Sequence, residues 1–147
     1  MSLWSIFKRK KWEKLGEPIS VESLYTEMWR LGCTGAYLRD GGTYRSIPND
    51  DFMEIVRDYS LPFPKYKKDI YDCDDFTTCL RADVLRAWAE LSNGSEPLAF
   101  GWVDGKIDTI NHAWIWQRDD KGKYWWIEPQ TLGLLKGIPK SIHIFEG

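Results

Sequence analysis

Three side chains in this chain are of the types that together perform thiol chemistry: Cys73 within Tyr71-Asp72-Cys73-Asp74-Asp75-Phe76, His112 within Asn111-His112-Ala113-Trp114, and Glu128 within Trp126-Ile127-Glu128-Pro129. A thiolate is a nucleophile, an imidazole can take its proton, and a carboxylate can hold that imidazole in one tautomer. Cys73 falls at the predicted start of a long helix, where unpaired backbone N–H groups favour the ionised thiol. Its own N–H would then be one oxyanion donor, with Tyr71 the candidate for the second. Trp114 and Trp126 are the candidates for lining a substrate cleft, the remaining aromatics being sheet core.

The elements that must position these groups are legible in the pattern. Ser20 opens a helix whose apolar residues Val21, Leu24, Tyr25, Met28 and Leu31 recur at helical spacing, and Gly32 closes it. The stretch from Cys33 to Ile70, punctuated by glycine and proline, reads as loop-rich with one short helix from Asn49 or Asp50 through Tyr59. The helix from Cys73 to Leu91 is capped by Asp72 with Asp75 at the capping-box position, and buries Phe76, Leu80, Val84, Ala87, Trp88 and Leu91. From Leu98 the pattern becomes β: Leu98 to Val103, closed by Asp104-Gly105, then Asn111 to Gln117, Lys123 to Glu128 and Ser141 to Phe145. Alternation puts His112, Trp114 and Trp116 on one face of their strand and Trp126 and Glu128 on one face of theirs. An even register across the hairpin makes His112 and Glu128 diagonal neighbours.

The three motifs, in this order and spacing, resemble the Cys, His and acid motifs of the transglutaminase-like superfamily. The first is closest to the Asp-Cys-Glu-Asp-Tyr pattern of bacterial transglutaminase-like cysteine peptidases. The resemblance covers residues 70–132, and Glu128 stands where that family usually has Asp. It implies a papain-like, transglutaminase-like α+β fold with N-terminal helices packed on an antiparallel sheet. It also implies thiol-dependent acyl transfer or amide hydrolysis by a Cys73–His112–Glu128 triad, acting on a protein, peptide or peptidoglycan-type amide without a cofactor. Two alternatives accompany it: a peptidoglycan-directed amidopeptidase, and a non-catalytic binding protein with an aromatic ligand cleft.

Composition narrows the classes. At 147 residues the chain is read as a basic leader, residues 1–17, followed by one domain, residues 18–147. A formal charge of −2 argues against nucleic-acid binding, which needs a clustered basic surface. Three cysteines without metal-type spacing favour reduced thiols and a cytoplasmic setting. Asp72, Asp74 and Asp75 are read as helix-capping groups, so no metal is expected. No apolar run approaches a membrane span; the leader could associate weakly with a membrane surface.

Overall fold

The computed structural model describes residues 18–38, 42–68, 70, 72–92, 96–135 and 141–146, the last four of these by backbone alone. The leader, residues 1–17, lies outside the described residues, as does Tyr71. In chain order the elements are β1 (Pro18–Ser20), α1 (Val21–Arg30), β2 (Ala36–Tyr37), β3 (Thr43–Arg45), α2 (Asn49–Tyr59), α3 (Cys73–Leu91), β4 (Phe100–Ile107), β5 (Ile110–Arg118), β6 (Tyr124–Glu128), β7 (Gly133–Leu134) and β8 (Ser141–Glu146).

Local chemistry sets the helix ends. Ser20 caps α1, its hydroxyl accepting the Ser23 N–H at 3.2 Å, and Gly32, at φ +81°, turns the chain away after Leu31. At the start of α3 the Asp75 carboxylate accepts the Asp72 N–H at 3.2 Å, the return half of a capping box. Among the described residues, no helix is long and apolar enough to cross a membrane.

Six strands form one sheet in the order β2-β8-β4-β5-β6-β7, and β1 pairs with β3 in a separate ribbon. The large sheet is mixed, because β2 runs parallel to β8 while the other neighbours are antiparallel. Its two faces carry separate cores. Phe100, Ile115 and Ile127 pack with Phe52, Ile55 and Val56 of α2 and with Leu80, Val84 and Trp88 of α3. Val103, Trp114 and Trp116 pack with Leu24 and Met28 of α1. Successive residues Ala113, Trp114, Ile115 and Trp116 are therefore all buried, as expected of a strand covered on both sides. The expected arrangement, N-terminal helices packed on an antiparallel sheet, is corrected accordingly: the sheet is mixed and helices cover both of its faces.

Asp104-Gly105 does not close a strand. β4 continues to Ile107, and the reversal falls at Asp108-Thr109, between the paired Ile107 and Ile110. Gly105 is instead a point of close approach: a Cβ there would lie 2.2 Å from the Ser141 carbonyl oxygen and 2.9 Å from the Trp114 ring.

The β5–β6 hairpin is organised by Asp119, a nearly buried carboxylate. It accepts the N–H groups of Lys121 and Lys123 at 2.9 and 2.8 Å and the indole N–H of Trp125 at 2.8 Å. Gly122 supplies the positive φ the loop requires. Helix α1 is tied to the same hairpin by Glu27, which accepts from Arg118 Nε and Nη2 at 2.8 and 3.1 Å and from the Tyr124 hydroxyl at 2.8 Å. Burial would weaken the Arg118 cation, but Glu27 overrides this and raises its pKa. Burial, and then Glu27, push the Tyr124 phenol far above its ordinary value.

Candidate functional site

The register fixed by the Asp119 loop pairs Ile115 with Ile127 and Trp116 with Trp126. Those pairs place His112 and Glu128 on one face as diagonal neighbours, and His112 Nε2 lies 2.7 Å from Glu128 Oε2. The other carboxylate oxygen accepts the Gln130 N–H at 3.1 Å, so the turn after β6 holds Glu128 from behind. Burial alone would raise the Glu128 pKa, but the hydrogen bonds from His112 and Gln130 bring it below the usual carboxylate value. The imidazole is stacked on Trp114, with ring centroids 6.2 Å apart, and Trp114 meets Trp126 edge to face at 6.3 Å.

Cys73, the first residue of α3, is half-buried. Backbone N–H groups of Ala113 and Asp74 hydrogen-bond its sulfur, so the thiol stands beside the residue that follows His112. The helix start does not lower the thiol's pKa as expected. Burial, and then the negative charges of Asp72 and Asp74, raise it above the ordinary thiol value despite those N–H groups. The acids that favour the helix terminus thus add to burial in disfavouring the thiolate. Asp72 hydrogen-bonds Asp74 and, with burial, raises the Asp74 pKa, and the ligand atoms of Asp72, Cys73 and Asp74 lie within 4.8 Å of one another.

Next to the His112–Glu128 pair is an open cleft of about 410 Å³, lined by Ile107, Asp108, Ile110, His112, Glu128, Thr131, Leu134 and Leu135. Cys73 is not among its lining residues, and neither are Trp114 and Trp126. Trp114 is fully buried behind His112, and its indole Nε1 has no hydrogen-bond partner among the described residues. The sequence reading missed Asp108, Thr131 and the apolar wall. The signal for Asp108 was the two-residue reversal between Ile107 and Ile110, where Asp108 adopts φ +56°. The arrangement offers a carboxylate held in its ionised form, an oriented imidazole, a second carboxylate and a hydroxyl above an apolar shelf.

No protein-family model matches the chain, and no curated protein sequence does. Solved structures share its fold, two of them as follows. One is PSL1a in complex with E64, at a TM-score of 0.68 and 20% identity over 88% of this chain and 51% of that one. The other is the Polyporus squamosus lectin bound to the human-type influenza-binding epitope Neu5Acα2-6Galβ1-4GlcNAc, at 0.58 and 23% over 76% and 42%. The chain therefore spans about half the length of these proteins or less. At these identities the likeness is one of fold.

These comparisons correct the expectation of a transglutaminase-like, papain-like cysteine peptidase. Structures that share the fold include PSL1a and a lectin, and the ligand bound to that lectin is a glycan rather than a protein, peptide or peptidoglycan amide. The physical reason is the reach of the motifs. Three short segments on one helix and one hairpin describe a local constellation, while the strand order, the mixed sheet and the helix on its second face are set by residues outside them.

Proposed function

We propose that the chain is a binding domain whose ligand is a saccharide held in the cleft beside His112 and Glu128. The observation that carries this reading is the cleft itself. Hydrogen-bonding groups of Glu128, Asp108, His112 and Thr131 converge above the apolar side chains of Ile107, Ile110, Leu134 and Leu135. A sugar ring presents the complementary surface, hydroxyls around its edge and C–H groups on its faces. The fold shared with a glycan-bound lectin supports the class of ligand.

Within this reading Cys73, His112 and Glu128 keep distinct roles. Glu128, held ionised, accepts from ligand hydroxyls, and His112 is its positioning partner and a second polar contact. Cys73 is a half-buried thiol outside the cleft lining, its thiolate disfavoured by burial and by Asp72 and Asp74. Residues 18–147 act as one domain, and a cytoplasmic setting accompanies the proposal, supported by Cys33, Cys73 and Cys79 being free.

Calorimetric titration with Galβ1-4GlcNAc tests the reading. Saturable binding that weakens by about tenfold in Glu128→Gln supports it, since a hydrogen bond to a charged group contributes roughly 1.5 kcal/mol. Absence of binding by wild-type protein overturns it.

A further inference from the structure

The cleft beside Glu128 does not end at the turn that follows β6. Thr131 also lines a second cleft of about 490 Å³, bordered by the extended segment from Ser60 to Tyr66 and by Phe76. The rings of Phe63 and Phe76 meet edge to face with centroids 5.4 Å apart. The two clefts are therefore the two sides of one saddle, residues 129–132. Its shape is held by the Gln130 N–H bond to Glu128 and by Leu132 at φ +55°.

The two sides differ in charge. The first carries the carboxylates of Asp108 and Glu128. The second contains no carboxylate among its described lining residues and one cation, Lys65, with further lysines at Lys67 and Lys68. Resting on the saccharide reading above, we infer that the two clefts form one groove for a linear acidic oligosaccharide. Its neutral sugar lies against His112 and Glu128, and its carboxylate-bearing sugar lies across Thr131 against Lys65, Tyr66 and Phe63. The opposite orientation would bring the ligand's carboxylate onto Glu128 and Asp108, where like charges repel. Tyr66 and Phe63 supply apolar surface for the terminal ring, and Lys65 supplies the counter-charge.

The test compares Galβ1-4GlcNAc with Neu5Acα2-6Galβ1-4GlcNAc by calorimetry on the whole chain. The acidic trisaccharide is expected to bind about fivefold more tightly, the size an exposed charge pair can supply. The advantage should shrink at high salt and vanish in Lys65→Gln, return in Lys65→Arg, and leave the disaccharide's affinity as it is in wild type. Equal affinities for the two sugars, or an advantage that survives Lys65→Gln, would overturn the inference while the saccharide reading stands. Failure of wild-type protein to bind either sugar would overturn both.

Discussion

His112 Nε2 lies 2.7 Å from Glu128 Oε2, and the same carboxylate is held on its other side by the Gln130 N–H. The pair joins the middle of the sheet to the turn after β6, so the Glu128 carboxylate contributes to the fold as well as to the cleft it lines. The Glu128 pKa is lower folded than unfolded, so its contribution to stability is complete above the unfolded value of about 4.5 and is lost as pH falls through the folded value. Thermal unfolding followed from pH 6 to about pH 3 should show a steeper loss of stability for wild type than for Glu128→Gln. Parallel curves would mean that the carboxylate is not held by the imidazole in solution.

Cys73 should be a slow nucleophile. Burial and the charges of Asp72 and Asp74 raise its pKa, so alkylation by iodoacetamide at pH 7 should lag behind a free thiol and accelerate above pH 9. Asp74→Asn removes one of those charges and should speed alkylation, because less negative charge then opposes the thiolate. Mass-spectrometric labelling of each cysteine checks this. Rapid labelling of Cys73 at neutral pH that is lost in His112→Ala would show a thiol activated by the imidazole, against this account.

Gly105 is required by contact rather than by turn geometry. Gly105→Ala would push a methyl against the Ser141 carbonyl and the Trp114 ring, separating β4 from β8. The expected cost is about 3 kcal/mol in denaturant unfolding, at the upper end for overpacking a close backbone contact. A neutral substitution would mean that β8 does not pair here as described.

Much of the local structure was legible because it is set by local chemistry. Ser20, Gly32, Asp72 and Asp75 mark helix ends, and α1 and α3 fall where capping and periodicity put them, while α2 starts behind Pro48 without a side-chain cap. The His112–Glu128 contact was permitted by the sequence but not demanded by it, since strand alternation brings the two together only in the even hairpin register that the structure adopts. What was not legible depends on contacts distant in sequence. The parallel pairing of β2 with β8 joins residues more than a hundred positions apart, and no turn signal announces it. Gly105 reads as a turn until Ser141 is seen beside it. The cleft is built from the β4–β5 turn and the segment after β6, and its residues carry no motif. The run Ala113-Trp114-Ile115-Trp116 was the available sign that both sheet faces are covered.

Glu27 joins α1 to the β5–β6 hairpin through Arg118 and Tyr124, both largely shielded from solvent. Glu27→Ala should destabilise the chain by about 2 kcal/mol, because it leaves the guanidinium and phenol without their shared acceptor. Tyr124→Phe removes one hydrogen bond and leaves the ion pair, at a cost of about 1 kcal/mol. Chemical denaturation of the two variants gives the comparison. Equal costs would show that Arg118 finds another acceptor.

The most direct test of the central claim is a saccharide titration of three proteins, wild type, Glu128→Gln and Cys73→Ser, followed by amide chemical shifts of residues around the cleft. A binding site built on the His112–Glu128 pair predicts saturable shifts at Asp108, Thr131 and Leu134 in wild type. It predicts the same affinity in Cys73→Ser and an affinity weakened by about tenfold in Glu128→Gln. No saturable shift in wild type, or an affinity unchanged by Glu128→Gln, would contradict it. So would a covalent adduct of E64 on Cys73 that requires His112.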